Sequence, residues 1–207
     1  MESYYPIMVK LAGKRIVVVG GGKVAERKIS GLLDTKANIT VVAPEISLEI
    51  QRLVKIGKIV WLAKAFSIED IEGAFMIFAA TNDRKLNQKI KDEAQDCALI
   101  TIADDPEASD FQVPAKVQRG KLTIAVSTGG ASPTLARKIR DQLAQEFDEQ
   151  YEDYLNFLFA ARQQIVKQVS DPSVKGKLLN LIVSEEFLKS KNRLADFQAL
   201  YKELTQI

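Results

Sequence analysis

Three consecutive glycines, from Gly20 to Gly22, follow a run of valines and precede a helical pattern. They fit the motif G-x-G-x-x-A, with Gly20, Gly22 and Ala25 at its small positions. Gly20 permits a tight turn, Gly22 lets the backbone approach a pyrophosphate, and Ala25 lets the helix pack closely against the strand. The N–H groups at the start of the helix could then bind the phosphates. This context favours dinucleotide binding over a purely structural turn.

The residues after the second predicted strand bear on which dinucleotide is bound. An Asp or Glu usually holds the adenosine ribose here, but the sequence is Val42-Ala43-Pro44-Glu45. Either Glu45 reaches the ribose, or the backbone at Ala43 and Pro44 makes the contact. No Arg or Lys follows at once that could bind a 2′-phosphate, so the pattern favours NAD over NADP.

A polar sequence, Thr81-Asn82-Asp83, follows the fourth predicted strand. In folds of this kind the loop borders the nicotinamide half of the cofactor cleft. The alternative is that Asn82 or Asp83 caps the next helix, and the two roles are compatible.

Two adjacent aspartates, Asp104 and Asp105, follow the fifth predicted strand, where Rossmann-type folds place their substrate chemistry. A carboxylate there could accept a proton as hydride leaves for NAD⁺. The alternative is a turn made by Asp-Asp-Pro, and the sequence leaves both open. Because the chain has no histidine, acid–base chemistry would fall to a carboxylate, Lys or Tyr.

A second glycine loop precedes the helix that begins near Ser132, which suits the N-cap position. Glycines before an open helix start form a turn that favours anions, and basic residues lie on both sides of it. The loop therefore predicts a site for an anionic substrate, the alternative being a solvated basic face. The predicted substrate-binding residues are Arg119, Ser127, Thr128, Gly129, Gly130, Ser132 and Arg137.

The elements that must position these residues follow from the apolar pattern. Strands are expected at 15–19, 38–43, 58–62, 74–80 and 97–103, and helices at 23–33, 45–56 and 83–96. This alternation predicts the α/β class, with a Rossmann-like, doubly wound parallel sheet.

The pattern changes near residue 113. Extended segments are expected at 111–117 and 121–127, then a helix from Ser132 to about Phe147 and a helical tail broken near 170–172. We predict three parts, namely an NAD-binding Rossmann domain (1–113), a small central dimerisation and substrate segment (114–147) and a C-terminal helical region (148–207). Aromatic and aliphatic residues of the tail are expected to form core or dimer contacts.

The composition excludes several classes of protein. Apolar residues make up 46% and charged residues 27%, as in soluble globular proteins. The net charge of +2 argues against a protein that coats nucleic acid, and no apolar run is long enough to span a membrane. With no secretory signal either, we expect a cytoplasmic protein. Its one cysteine, Cys97, is expected to be a small buried apolar residue, and no metal site is predicted.

Three stretches together resemble one known family. They are GGGKVAERK, IADDPEASDFQVPA and AVSTGGASPTLARKIR, which occur in this order within about residues 5–147. They are similar to the N-terminal part of siroheme synthase, a family of precorrin-2 dehydrogenases of which some are also sirohydrochlorin ferrochelatases. The resemblance implies NAD-dependent oxidation of precorrin-2 to sirohydrochlorin in siroheme biosynthesis. It also implies a homodimer in which the segment after the Rossmann domain exchanges between subunits.

The resemblance assigns roles to individual residues. The family's cofactor contacts fall on Gly22, Lys23, Ala43 and Pro44. Its key aspartate, used for dehydrogenation or for chelation in bifunctional members, falls on Asp104, with Asp105 adjacent. A rival hypothesis from a different class is a non-catalytic, NAD-sensing Rossmann module. That module would explain the first glycine loop, but not the acidic pair and the second loop together.

Overall fold

The computed structural model describes residues 4–94 and 98–205. The chain divides into two compact units, Met1–Val113 and Pro114–Ile207, each of which is described by itself. The prediction for Cys97 lies outside the described residues. Among the described helices, none is both long and apolar enough to cross a membrane.

The first unit is built on a parallel sheet of five strands in the order β3-β2-β1-β4-β5. The strands are β1 (Arg15–Val19), β2 (Asn38–Val42), β3 (Val60–Leu62), β4 (Met76–Ala79) and β5 (Leu99–Ile102). The central strands β1 and β4 are buried on both faces and are near-continuous apolar runs, and for this reason their positions could be predicted. The strand order reverses beside β1, which confirms the predicted doubly wound sheet.

Helices cover both faces of this sheet. They are α1 (Lys23–Ser30), α2 (Leu48–Lys55) and α3 (Arg84–Ala94), with short 3₁₀ turns at Leu33–Thr35 and Ile68–Ile71. Because side chains alternate along a strand, Ile16 and Val18 pack on one face with α1 and α2, whereas Val17 and Val19 pack on the other face with α3. The first helix ends three residues earlier than predicted, at Ser30, and Gly31 follows it.

The chain after β5 folds back along the outer edge of that strand. The backbone N–H of Ile100 donates to Oδ2 of Asp110 over 2.8 Å, and the N–H of Ile102 donates to Oγ of Ser109 over 2.9 Å. The N–H of Asp110 returns a bond to the carbonyl of Ile100 over 2.8 Å. Residues 105–110 therefore line the edge of the sheet.

The second unit opens with an antiparallel hairpin of β6 (Ala115–Arg119) and β7 (Leu122–Val126). The prediction that an extended segment begins at 111 was wrong about its start, because Phe111 packs edge-on against Phe78 in the first unit, with ring centroids 5.5 Å apart. Pro114 then precedes the first hairpin residue and has no N–H to donate.

Within residues 114–205, five helices follow the hairpin. They are α4 (Pro133–Glu146), α5 (Gln150–Gln168), α6 (Pro172–Leu181), α7 (Glu185–Lys189) and α8 (Arg193–Thr205). The predicted break near 170–172 is confirmed, since Asp171 caps the start of α6. Several aromatic residues of the tail form its core, among them Tyr154, Phe157 and Phe197.

Candidate active site

The first glycine loop lies where the sheet's strand order reverses. Gly20 has a φ of +123°, and a Cβ there would lie 2.7 Å from the carbonyl carbon of Ala80 at the end of β4. The Gly20 N–H donates to the carbonyl of Val42, at the end of β2, over 2.9 Å. Gly20 thus fits between the ends of β2 and β4, the two strands that flank β1. This places the loop at the mouth of the crevice that binds ligands in such folds.

Gly21 makes a close backbone contact that the motif does not specify. A Cβ on Gly21 would overlap the carbonyl oxygen of Glu45 and lie 2.9 Å from Cα of Ile46. The Ser47 N–H also donates to the carbonyl of Gly21 over 2.8 Å. The loop after β2 is therefore packed directly on the glycine turn. The only signal in the sequence was a glycine at the position that the motif leaves variable.

Gly22 stands at the start of α1 and leaves open space. It is exposed, a Cβ on it would meet nothing within 4 Å, and no side chain caps the helix there. Ala25 is completely buried one turn later, while Lys23 is exposed between them. An uncapped helix start beside an open glycine fits a dinucleotide pyrophosphate, whose oxygens accept hydrogen bonds from such N–H groups.

The loop after β2 is held by the neighbouring strand β3. The Trp61 indole N–H donates to the carbonyl of Ala43 over 2.9 Å, and the Ala43 N–H donates to the carbonyl of Leu62 over 3.3 Å. Pro44 and Glu45 are exposed. The arrangement fixes the Ala43 backbone and leaves the Glu45 side chain in solvent, so both predicted modes of ribose contact remain available.

In the polar loop after β4, Asp83 rather than Asn82 caps α3. Oδ1 of Asp83 accepts hydrogen bonds from the N–H groups of Lys85, over 2.9 Å, and Leu86, over 3.2 Å. Asn82 is exposed. The third member of the loop, Thr81, contacts a side chain further along α3.

That side chain is Asn87, which sequence reasoning missed. Its amide is 1% exposed and makes four hydrogen bonds. Oδ1 accepts from the N–H of Thr81 (3.2 Å) and from its hydroxyl (2.7 Å), while Nδ2 donates to the Thr81 carbonyl (3.1 Å) and to Oδ1 of Asp104 (3.1 Å). The available signal was an amide at a helical position three residues before Ile90 and seven before Ala94, on a face that is otherwise apolar.

Asp104 lies at the carboxyl end of β5 and is held by two donors. Besides Asn87, Nε of Arg84 donates to its Oδ2 over 3.1 Å. The side chain of Asp104 is 34% exposed, so the carboxylate remains open to a cleft of about 190 Å³. The residues that line this cleft are Arg84, Asn87, Gln88, Ile102, Asp104 and Asp105.

Asp105, by contrast, closes the turn after β5. Its Oδ1 accepts from the N–H of Ala108 over 3.1 Å, and its carbonyl accepts from the hydroxyl of Ser109 over 2.7 Å. The two alternatives for the acidic pair thus separate: Asp105 forms the turn, and Asp104 presents a carboxylate to the cleft. Within residues 4–94 and 98–205, no three His, Cys, Asp or Glu side chains come together in a way that could hold a metal ion.

The second glycine loop is largely satisfied by its own side chains. Oγ of Ser127 accepts from the N–H of Gly129 (3.2 Å), Oγ1 of Thr128 accepts from the N–H of Ser132 (3.1 Å), and Oγ of Ser132 caps α4 by accepting from the N–H of Leu135 (3.1 Å). Gly129 and Gly130 are exposed. Ser132 thus caps α4 as predicted, and the start of this helix offers an anion fewer N–H groups than an uncapped start would.

The structure does not bring Arg119 to this loop. Its guanidinium donates to the carbonyl of Ala144 over 3.2 Å and pairs with Glu149 at 3.4 Å. Ala144 lies in the last turn of α4, about 18 Å along the helix from Ser132. Grouping Arg119 with the loop was wrong because the hairpin turn lies at the other end of β7. Arg137, on the second turn of α4, is exposed.

Comparisons with known proteins find similarity in both units of the chain. A family model described as putative NAD(P)-binding matches residues 7–115. A model described as sirohaem biosynthesis protein central matches 119–146, and one described as SirC C-terminal domain matches 151–197.

Individual relatives agree with these models. A precorrin-2 dehydrogenase of Priestia megaterium is 36% identical over 193 residues, or 93% of this chain and 96% of that protein. A solved structure named SirC, precorrin-2 dehydrogenase, superposes with a TM-score of 0.83 at 33% identity and covers 99% of this chain and 100% of that one. A siroheme synthase of Neisseria meningitidis is 42% identical over 142 residues, which is 68% of this chain but only 30% of that longer protein.

Proposed function

The chain belongs to the precorrin-2 dehydrogenase family, and from this premise we propose that it oxidises precorrin-2 to sirohydrochlorin in siroheme biosynthesis with NAD⁺ as the hydride acceptor. The observation that carries the proposal is the position of Asp104. Its carboxylate lies at the carboxyl end of β5, bound to α3 and open to a cleft. This is the end of the sheet at which a doubly wound fold binds its cofactor.

The dinucleotide would bind at the first glycine loop. Gly20 permits the tight turn, Gly22 leaves room for the pyrophosphate, the start of α1 donates to its phosphates, and Lys23 supplies a positive charge beside them. Thr81 and Asn82 border the nicotinamide end. When bound, the nicotinamide ring supplies the hydride acceptor. Ala25 contributes indirectly, since its small side chain lets α1 approach β1.

We propose NAD rather than NADP because the loop after β2 has no cation for a 2′-phosphate. Residues 43–51 contain no Lys or Arg but do contain Glu45 and Glu49. A carboxylate beside the ribose would repel a phosphate and could accept hydrogen bonds from the ribose hydroxyls. The fixed backbone of Ala43 and the adjacent Pro44 would form the floor of this ribose site.

Asp104 would act as the proton acceptor. Loss of a hydride from the substrate leaves a cation whose neighbouring proton becomes acidic, and a carboxylate within reach can remove it. Both oxygens of Asp104 already accept hydrogen bonds, from Arg84 and Asn87, which hold the carboxylate in position at the cleft. Asp105 would support it by shaping the turn.

The substrate is an anion with eight carboxylates, and the second unit offers groups to bind it. The proposed contacts are the exposed backbone at Gly129 and Gly130, the hydroxyls of Ser127, Thr128 and Ser132, and the guanidinium of Arg137. Residues 114–207 carry a net charge of +3, which favours a polyanion. Arg119 is left out of the proposal because its guanidinium is engaged at the far end of α4.

We further propose a cytoplasmic homodimer, in which residues 114–147 serve dimerisation and substrate binding and 148–207 form the helical region. Several large apolar side chains of the second unit are between 41% and 69% exposed: Leu135, Phe159, Val166, Leu181, Val183 and Leu194. Such surface favours association. Light scattering of the purified protein measures its mass, and a monomer at micromolar concentration contradicts the homodimer.

Turnover of precorrin-2 tests the proposed function directly. Under anaerobic conditions, the purified chain should convert precorrin-2 and NAD⁺ to sirohydrochlorin and NADH in equal amounts. Asp104→Asn should lower kcat by about 10²- to 10⁴-fold, as expected for loss of a general base. Asp105→Asn is the matched control, because an amide oxygen can still accept from the Ala108 N–H. Bound NAD⁺ without turnover would instead support the NAD-sensing module. Fe²⁺ added after oxidation is complete tests whether the chain also inserts iron into sirohydrochlorin.

A further inference from the structure

The two oxygens of Asp104 are held by partners of opposite character. Oδ1 is bound by Asn87, which is 1% exposed, and Oδ2 by Arg84, whose side chain is 86% exposed. A buried neutral donor and a solvated cation therefore share one carboxylate. The contrast in exposure suggests that one contact is permanent and the other exchangeable.

The contact from Asn87 cannot be given up easily. All the hydrogen-bonding capacity of its amide is in use, with Thr81 on one side and Asp104 on the other. Breaking any of these bonds would leave a buried polar group without a partner, which is costly. Asn87 therefore fixes Oδ1 and ties the loop after β4 to the end of β5.

The contact from Arg84 is weak by comparison. An ion pair at the surface is screened by water and contributes little to stability. Only Nε of the guanidinium reaches Asp104, so the contact is a single hydrogen bond. A carboxylate of a ligand in the cleft could accept two parallel hydrogen bonds from the guanidinium, and this stronger arrangement would draw it away from Asp104.

We propose that Arg84 binds a carboxylate of the substrate and that this exchange frees Oδ2 of Asp104 to accept the proton. The inference rests on the proposed function, which supplies a polycarboxylate substrate. Two bonds to hydrogen break in the substrate. One electron pair leaves with the hydride to NAD⁺, the other forms a new double bond in the macrocycle, and the proton passes to Oδ2. Arg84 is thus a specificity-determining residue, and binding of the correct substrate makes Oδ2 of Asp104 available as the proton acceptor.

The kinetics of Arg84→Ala test this exchange. The KM for precorrin-2 should rise by about ten-fold or more, the loss expected for a charged hydrogen bond, and the KM for NAD⁺ should not change. The kcat should stay within about three-fold of the wild type, because Arg84 has already left Asp104 in the wild-type complex. Arg84→Lys should recover part of the substrate affinity, because it keeps the charge but not the two parallel bonds.

A fall in kcat of ten-fold or more with an unchanged KM would overturn the proposal, since Arg84 would then be a permanent positioning residue for Asp104. An unchanged KM and kcat would overturn it as well. Lys85→Ala is the matched control, because Lys85 is the next exposed cation of α3 and makes no ion pair among the described residues. The fold should tolerate both changes, since both side chains lie in solvent.

Binding of sirohydrochlorin, measured by calorimetry, separates this inference from the proposed function. Arg84→Ala should weaken binding about ten-fold, whereas Lys85→Ala should leave it unchanged. If the wild type binds sirohydrochlorin through Arg84 but does not oxidise precorrin-2, the proposed function fails and Arg84 remains a carboxylate-binding residue. If oxidation proceeds and neither variant alters the affinity, the role given to Arg84 is wrong.

Discussion

The two glycine loops need glycine for different physical reasons. In the first loop, a methyl group on Gly20 or Gly21 would overlap the backbone of a neighbouring loop. In the second loop, a Cβ on Gly129 or Gly130 would meet nothing within 4 Å, and the requirement comes from φ angles of +58° and +85°. Adjacent glycines can thus indicate either close packing or a special backbone shape, and the residue letters alone do not separate the two.

The helices that follow these loops also differ, in whether a side chain caps their first turn. No side chain caps α1 at Gly22, whereas the hydroxyl of Ser132 caps α4. An uncapped start leaves its N–H groups for a ligand, and a capped start gives one of them up in exchange for stability. The first loop therefore keeps the N–H groups that the proposed phosphate contact needs, while the second is shaped first by its own hydrogen bonds.

The largest expected difference concerns folding. Gly21→Ala should lower the free energy of unfolding by about 3 kcal/mol, because the new methyl group must displace the backbone of Glu45. Gly129→Ala should cost only about 1 kcal/mol, the penalty of a left-handed conformation in open space. Urea denaturation of both variants measures these values. Equal losses would mean that the two loops do not differ in packing.

The next effect concerns ligand affinity. Gly22→Ala should weaken NAD⁺ binding by about ten-fold or more, or about 1.4 kcal/mol, because the methyl group fills the space left for the pyrophosphate. Its free energy of unfolding should change by no more than about 0.5 kcal/mol. Gly130→Ala is the matched control, with unchanged NAD⁺ affinity by calorimetry. If Gly22→Ala binds NAD⁺ normally, the first loop does not contact the phosphates.

The smallest effect concerns the capped helix. Ser132→Ala should reduce the free energy of unfolding by about 1 kcal/mol through loss of the N-cap, without a change in NAD⁺ affinity. Ser132→Asn should restore most of the stability, because its side-chain oxygen can accept the same N–H. A stable Ser132→Ala protein would show that the cap contributes little, and the contrast with α1 would then lose its energetic basis.

Much of the fold could be predicted because the central strands of the first unit, β1 and β4, are buried on both faces. Buried parallel strands are short apolar runs, and the glycine turn marks the end of the first one. The expectation for 111–114 failed because Phe111 is apolar for a different reason, its contact with Phe78 in the core. An apolar residue signals burial, but not which element buries it.

The candidate site was less accessible to prediction. Asp104 and Asp105 are chemically identical neighbours, and only the turn that captures Asp105 distinguishes them. Asn87 lies far along the chain from Asp104, so the hydrogen bond between them is set by how α3 packs on the sheet. Arg119 was misplaced because it lies beside the hairpin turn, whereas the loop follows the opposite end of β7.

Residues 105–110 also shield the sheet from other polypeptides. An unpaired edge strand offers its N–H and C=O groups to any passing strand, and here Ser109 and Asp110 occupy the N–H groups on the outer side of β5. The same stretch begins immediately after Asp104, so that one short segment guards against aggregation and supports the proposed base. In a cell, a substitution at Ser109 or Asp110 is therefore expected to increase aggregation more than it slows turnover.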